Sequence, residues 1–224
     1  MVVMNGSAIY NFKEKTFSNV YEIESDVRNF IDENLLKNDL HAFVYTINDN
    51  FMHGYHQKLI NNGEIRYYNN RKNGTTYSFV RGELPADLNP CLYVVIDLKE
   101  KIDKFIESTK DEKYSQFVDI ISYPYNEEFY YLKINTHIAR KEKSVSDIIK
   151  ENNFNKLIVC GSGQTDIPLI KKADLSVCLK KAPEYIKKEV DIILSDDPAD
   201  VLKLFDRIYH CSNPDKLIKK IKSK

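Results

Sequence analysis

The fold is decided by residues 156–194, which read KLIVCGSGQTDIPLIKKADLSVCLKKAPEYIKKEVDIIL. Two apolar runs, Lys156–Cys160 and Leu175–Leu179, predict buried strands. Each run is followed by a segment that predicts a helix, first Ile167–Lys172 and then Pro183–Glu189. Strands that alternate with helices form a parallel sheet whose faces the helices cover. We therefore predict an α/β fold for this part of the chain.

The preceding part of the chain has a different pattern, with several strands close together in sequence. Leu92–Ile96 is a continuous apolar run and predicts a buried strand. Ser25 is a candidate N-cap for a helix that continues to Lys37. The polar, Asn-rich segment 61–73 predicts a loop or a weak helix. Together these patterns predict an α+β module over residues 21–135, inserted into the α/β part.

The composition is that of a folded chain, and it argues against several classes of protein. The 224 residues carry 33 basic and 33 acidic side chains, and this zero net charge argues against a nucleic-acid or membrane-surface partner. No apolar run approaches the roughly 20 residues of a membrane-spanning helix, and the N-terminus lacks a signal-peptide pattern. We therefore expect a cytoplasmic protein whose four cysteines are reduced, and without a C-x-x-C pair we expect no zinc site.

Two junctions between a strand and a helix are the candidate binding region. Ligands of open α/β sheets bind beyond the carboxyl ends of the strands. The first junction contains Ser162, Thr165 and Asp166, and the second contains Lys180 and Lys181. The Ser162 and Thr165 hydroxyls could donate hydrogen bonds to a phosphate at the N-terminus of the helix that follows, and the Asp166 carboxylate could contact a metal ion.

Four segments of the chain resemble the Cof-type phosphatases of the haloacid dehalogenase (HAD) superfamily. The stretches 161–177 and 182–191 are similar to the C-terminal half of these enzymes. Residues 130–145 are similar to the segment that carries the active-site lysine of the family. Asn5–Tyr10 is similar to the Asn-Gly-Ala strand that precedes the large cap domain. The order and spacing of the segments fit over nearly the whole chain.

This resemblance implies a fold, an activity and a cofactor. The fold would be a partial HAD-like Rossmannoid core, a parallel sheet with flanking helices, made of residues 1–20 and 136–224. Residues 21–135 would be the inserted α+β cap, which closes over the cleft and selects the substrate. The implied activity is Mg²⁺-dependent hydrolysis of small phosphorylated metabolites.

The chain departs from the family pattern at the residues that carry the chemistry. The family nucleophile belongs to an Asp-x-Asp motif on the first core strand, and no Asp-x-Asp occurs in this sequence. We expect the chain to begin at the third core strand, without the first two. Ser162 stands at the position of a magnesium-binding Asp, and Thr165 stands at an Asn position. A neutral hydroxyl is a poor ligand for Mg²⁺, so Asp166 is the one weak metal candidate and Ser162 is expected not to bind.

The remaining candidate residues follow from the register of the resemblance. Lys141 matches the lysine that pairs with phosphate and with the nucleophile, and Asn5, Thr165 and Lys181 are the candidate substrate contacts. Each has a structural alternative. Lys141 could be a solvated charge and Thr165 and Ser162 could be turn residues. Asp166 could be the cap of the helix that begins at Ile167.

These departures favour a degenerate or truncated phosphatase-like protein that is inactive or vestigial and acts as a binding or interaction module. Whether the chain is an enzyme stays open at this point. One alternative is an active phosphatase completed by a separate polypeptide, and another is a phosphate or phosphosugar binder. Loss of two central strands would leave the strands at residues 2–4 and 157–160 with unpaired edges, which promote self-association or binding of a complementing polypeptide.

Overall fold

The protein is described by a computed structural model that covers residues 1–74, 77–110, 114 and 116–223. The strands are β1 (Val2–Val3), β2 (Ala8–Asn11), β3 (Thr16–Ser18), β4 (Ala42–Asn48), β5 (Phe51–His56), β6 (Tyr77–Arg81), β7 (Leu92–Leu98), β8 (Val118–Pro124), β9 (Phe129–Thr136), β10 (Ile158–Cys160), β11 (Leu175–Leu179) and β12 (Ile192–Leu194). The α-helices are α1 (Ser25–Lys37), α2 (Asn62–Arg71), α3 (Lys99–Ser108), α4 (Lys141–Glu151), α5 (Ile167–Lys172), α6 (Glu184–Lys187), α7 (Pro198–Tyr209) and α8 (Pro214–Lys222). Two 3₁₀ turns, Met4–Gly6 and Gln164–Asp166, complete the list.

The chain divides into two compact units, Met1–Ser144 and Val145–Lys224, and the boundary falls within α4. The first unit contains a small antiparallel sheet in the order β1-β2-β3 and a six-stranded sheet in the order β6-β5-β4-β7-β9-β8. Neighbouring strands of the larger sheet are antiparallel except β5 and β6, which are parallel. The assignment of residues 1–20 and 136–224 to a core and of 21–135 to a cap stays a prediction.

Both faces of the six-stranded sheet are buried, as the central strand β7 shows. Tyr93 and Val95 pack into a cluster with α1 and α3 on one face of the sheet. Their neighbours Val94 and Ile96 point to the opposite face and pack with Tyr67 of α2. Successive strand residues alternate between faces, so a continuous apolar run fits a strand covered on both sides. The buried strand predicted at 92–96 is confirmed.

The second unit is a parallel sheet in the order β10-β11-β12 with helices on both faces. On one face Val159 and Cys178 pack with residues of α5 and α6. On the other face Leu175 and Val177 pack with residues of α7 and α8. The α/β prediction for this part of the chain is confirmed.

Three local predictions have definite outcomes. The prediction of Ser25 as an N-cap is wrong, because Ser25 is the first residue of α1 and its hydroxyl donates to the Asn89 side chain at 3.1 Å. The helix alternative for segment 61–73 is confirmed by α2, whose first turn is capped by the Asn61 side chain. The N-terminal strand ends at Val3 rather than residue 4 and pairs with β2, outside the parallel sheet. No helix among the described residues is long and apolar enough to cross a membrane.

Candidate functional site

The predicted site residues fall in both units of the chain. The first unit holds Asn5 and Lys141, and the second unit holds Ser162, Thr165, Asp166 and Lys181.

In the first unit, Asn5 lies in a turn with an unusual backbone. Met4, Asn5 and Gly6 have φ angles of 46°, 58° and 103°. The left-handed region is accessible to Asn at low cost and to Gly at none, which explains the Asn-Gly pair between β1 and β2. The Asn5 amide donates to the Asn135 side-chain oxygen at 3.3 Å. The turn is therefore attached to the end of β9 by a side-chain hydrogen bond.

The same turn packs against the start of α4, the helix that Lys141 begins. A Cβ atom on Gly6 would lie 2.3 Å from the Arg140 carbonyl carbon and 2.6 Å from the Lys141 nitrogen. The buried Ser144 hydroxyl donates to the Gly6 carbonyl at 2.9 Å. The structure thus brings Asn5 and Lys141 to the two sides of one close backbone contact, and Lys141 itself is half-buried.

Asn135 and Ser144 are residues of this region that the sequence did not indicate. Asn135 is fully buried, and its amide also donates to the Ala139 carbonyl at 2.8 Å. Ser144 is 1% exposed. A buried polar side chain needs a partner, so both groups fix the loop before α4 and the turn of Asn5 in one arrangement. Neither residue belongs to a recognisable spacing pattern, and only their burial reveals them.

In the second unit, the loop after β10 folds back around Asp166. One carboxylate oxygen of Asp166 accepts hydrogen bonds from the Ser162 nitrogen at 3.0 Å and the Gly163 nitrogen at 3.1 Å. The Ser162 side chain is exposed, and Thr165 is half-buried. The loop therefore brings Ser162, Thr165 and Asp166 together in a short turn.

The structural alternative for Asp166, as the cap of the helix that begins at Ile167, is confirmed in position, because Asp166 is the N-cap residue of α5. Asp166 precedes α5, but its carboxylate makes no capping hydrogen bond to that helix. The side chain turns toward the amides of the preceding loop instead, because the 3₁₀ turn Gln164–Asp166 brings Ser162 and Gly163 within reach. The Asp166 carboxylate therefore stabilises the loop and the start of the 3₁₀ turn that leads into α5.

The thiol next to this loop has a raised pKa. Cys160 is the last residue of β10. Burial raises the pKa of the Cys160 thiol, and the charge of Asp166 raises this pKa further. Since the thiolate is the reactive form, both effects favour the protonated thiol of this exposed cysteine at neutral pH.

The second junction places Lys180 and Lys181 after β11, with both side chains exposed. The Lys181 backbone nitrogen donates to a carboxylate oxygen of Asp196, which follows β12. Asp197, the next residue, caps α7 by accepting from the Ala199 nitrogen at 2.9 Å. The acidic pair after β12 therefore has structural contacts with neighbouring backbone.

The donor set does not fit a magnesium ion. Of the two metal positions suggested by the resemblance, Ser162 is a hydroxyl and Asp166 has one oxygen engaged by two amides. Within the described part of the chain, no three His, Cys, Asp or Glu side chains are grouped so that they could hold a metal. Mg²⁺ requires octahedral oxygen coordination, for which carboxylates are the usual protein ligands.

Comparisons with known proteins agree with this architecture. The family model of haloacid dehalogenase-like hydrolases matches residues 1–202. Among solved structures, a haloacid dehalogenase-like hydrolase from Bacteroides thetaiotaomicron is 18% identical with a TM-score of 0.69, covering 91% of this chain and 74% of its own. The HAD subclass IIB sugar phosphatase is 15% identical with a TM-score of 0.67, over 92% of this chain and 75% of its own.

A haloacid dehalogenase-like hydrolase from B. subtilis is 14% identical with a TM-score of 0.65, over 92% of this chain and 78% of its own. A search of curated proteins gave no match. At these identities the solved structures establish the fold, including the combination of an α/β core and a cap domain. The chain therefore belongs to the haloacid dehalogenase-like hydrolases and has the fold of the phosphatases in that family.

Proposed function

We propose that this 224-residue chain binds a small phosphorylated metabolite without hydrolysing it. The observation that carries the proposal is the hydrogen bonding of Asp166, whose carboxylate accepts from two loop N–H groups at 3.0 and 3.1 Å. It is the one acidic side chain kept from the metal-binding motif that the resemblance suggests. Because the sequence also contains no Asp-x-Asp, the chain offers no aspartyl nucleophile of the family type.

Catalysis in this family depends on an aspartyl nucleophile and on Mg²⁺, and we propose that this chain lacks both contributions. A covalent aspartyl-phosphate divides the hydrolysis into two easier steps, and that route needs the nucleophile. The family generally depends on Mg²⁺, and the Ser162 and Asp166 pair does not fit this ion. Positioning groups such as Lys141 can attract a phosphate but cannot replace the attacking carboxylate. We therefore propose that activity is absent or vestigial in this chain.

Binding of the phosphoryl group is proposed to involve the two lysines that the resemblance suggests, Lys141 and Lys181. Lys141 begins α4, and Lys181 follows β11 with an exposed side chain. Thr165 and Asn5 complete the proposed contacts. Residues 21–135 are proposed as the cap that selects the rest of the metabolite. The support for these roles is the match of the family over residues 1–202.

A turnover assay tests the proposal. Wild-type protein with excess Mg²⁺ and p-nitrophenyl phosphate should release no nitrophenol above the protein-free rate. Asp166→Asn is the informative variant, and Asp206→Asn is the matched control, because Asp206 lies in α7 with an exposed side chain. Turnover that is lost in Asp166→Asn and kept in Asp206→Asn would contradict the proposal.

Binding is measured separately by thermal unfolding with inorganic phosphate and sugar phosphates. A ligand that binds the native state raises its stability in proportion to the logarithm of ligand concentration. We expect stabilisation that Lys141→Gln and Lys181→Gln both weaken. Lys37→Gln is the control, since Lys37 lies in α1 and pairs with Glu33. Equal stabilisation of all four proteins would contradict the assigned contacts.

A second candidate is a phosphatase completed by another polypeptide, and one observation favours it. In the described part of the chain, β10 is an edge strand that pairs only with β11. Its other edge presents backbone N–H and C=O groups that an added strand can pair with. Turnover that appears only after mixing with a polypeptide bearing an Asp-x-Asp strand would favour this candidate over a binding role.

A further inference from the structure

A cavity lies beside α1 in the first unit, away from the predicted site residues. Its volume is about 400 Å³, within the usual range for small-molecule sites. The walls come from α1, β4, the end of β5 and the start of α2. All of its lining residues lie between Arg28 and Tyr93, so it belongs to one unit of the chain.

The cavity is lined by a buried carboxylate that lacks a full set of partners. Glu64 is 2% exposed. Its Oε2 atom accepts from the Ile60 nitrogen at 2.6 Å, whereas Oε1 has no hydrogen-bond partner among the described residues. A buried carboxylate oxygen without a donor is unfavourable, so such a group in a native protein points to a missing partner. A donor that enters the cavity would supply it.

The charge of the lining favours a cationic partner. Four carboxylates line the cavity, those of Asp32, Glu33, Glu64 and Glu83, against two cations, Arg28 and Lys58. The Arg28 guanidinium is already engaged, since its terminal nitrogens donate to the carbonyls of Leu84, Pro85 and Leu88. Its Nε also lies 3.4 Å from Asp32. Arg28 therefore holds the wall in place, and the net charge of the lining is negative.

Aromatic rings complete the lining. Phe43, Tyr55 and Tyr93 are all lining residues, and Phe43 and Tyr93 are buried. The faces of such rings attract organic cations, and their apolar surface accommodates an alkyl chain. His56 joins them, and burial lowers the pKa of its imidazole, so that it stays neutral and adds no positive charge.

From the cavity, its unpartnered Glu64 oxygen and its surplus of carboxylates, we infer that this chain binds a small organic cation, an aliphatic amine or guanidine, with the cationic group on Glu64. This inference goes beyond the proposed phosphate site and does not depend on it. Burial raises the pKa values of Glu64 and Asp32, and a bound cation would offset the burial of their charges.

The test is a calorimetric titration with putrescine and agmatine, with butanediol as the neutral analogue of putrescine. We expect saturable binding of both cations and none of the diol. Glu64→Gln keeps the shape and an acceptor for Ile60 but removes the charge, and should weaken binding about tenfold or more, the typical effect of losing a charge-assisted hydrogen bond. Glu107→Gln, on the exposed side of α3, should bind like the wild type.

Two further measurements do not depend on the folding of the Glu64 variant. Ala42→Leu narrows the cavity from β4 and should also weaken binding. In the wild-type protein, carboxyl NMR should show a lower pKa for Glu64 when putrescine is bound, since a nearby cation favours the charged form. Absence of saturable cation binding, equal binding of butanediol, or a Glu64 pKa unchanged by putrescine would each overturn the inference.

Discussion

Replacing Gly6 by Ala tests the contact that joins the Asn5 turn to the start of α4. Gly6 has a φ of 103°, where an L-residue is strained. The added Cβ would lie 2.3 Å from the Arg140 carbonyl carbon and 2.6 Å from both the Arg140 oxygen and the Lys141 nitrogen. These are backbone atoms, so no side-chain rotation relieves the overlap.

The expected loss of stability combines two effects. Forcing a non-glycine residue into this conformation costs about 1–3 kcal/mol. Displacing packed backbone adds about 1–3 kcal/mol. We therefore expect Gly6→Ala to lower the free energy of unfolding by about 4 kcal/mol, a large part of the roughly 5–15 kcal/mol of a typical domain.

Gly82→Ala is the matched control, because Gly82 also has a positive φ, 146°, but no atom lies within 4 Å of an added Cβ. Gly82→Ala should therefore lose only the about 1–3 kcal/mol that the backbone conformation costs. Urea unfolding followed by far-ultraviolet circular dichroism measures both variants. Ser144→Ala, which removes the hydroxyl that donates to the Gly6 carbonyl at 2.9 Å, should cost about 1 kcal/mol in the same assay. If Gly6→Ala is no less stable than Gly82→Ala, the packing described at α4 is wrong.

Two other substitutions have defined outcomes. Asp191→Asn removes a carboxylate that accepts two hydrogen bonds from Ser176 at 2.9 Å and pairs with Lys222 at 3.1 Å, and should lower the free energy of unfolding by about 2 kcal/mol at neutral pH. Burial opposes ionisation of Asp191, but these contacts outweigh the burial and hold the pKa of Asp191 below its ordinary value. The extra stability of the wild type over Asp191→Asn should therefore be lost as the pH falls below about 4. An unchanged difference between the two proteins in acid would contradict that reasoning. Tyr93→Phe removes the hydroxyl that donates to Asp32 at 2.8 Å. Because that hydrogen bond favours the charged carboxylate, carboxyl NMR should show the already raised pKa of Asp32 rising further in the variant. An Asp32 pKa that stays the same or falls would contradict the contact.

The parts of the fold that the sequence predicts are those with local signals. The run at 92–96 and the alternation of apolar runs with helical segments over 156–194 need no distant contact to be recognised. The parallel sheet of the second unit and the buried strand β7 follow from them. The resemblance to a family predicts how these parts follow one another in one fold, because it depends on the order and spacing of four segments.

The parts that the sequence does not predict depend on contacts between distant residues. Strand β6 follows the polar segment 61–73 in the sequence. It pairs with β5 in parallel, an arrangement that no local pattern indicates. Helix α2 lies in a segment that is equally typical of a loop. Its stability comes from the Asn61 cap and from the burial of Tyr67 and Glu64.

In the candidate site, too, local signals are predictable from the sequence, whereas contacts set by the fold are not. The positions of Ser162 and Asp166 in one loop could be predicted from their spacing, but the direction of the Asp166 carboxylate depends on backbone geometry. Glu64 has no signal in the sequence, since a single acidic residue in a polar segment is normally solvated. Only its burial and its missing hydrogen bond distinguish it.

The most direct test of the central claim is the mass of the intact protein after reaction with a phosphate donor. The protein is incubated with Mg²⁺ and p-nitrophenyl phosphate, quenched in acid and weighed by mass spectrometry. We predict the mass of the unmodified chain, because the sequence contains no Asp-x-Asp from which a nucleophile of the family type could come. A chain that carries one phosphoryl group, and loses it to hydroxylamine as an acyl phosphate does, would contradict the account.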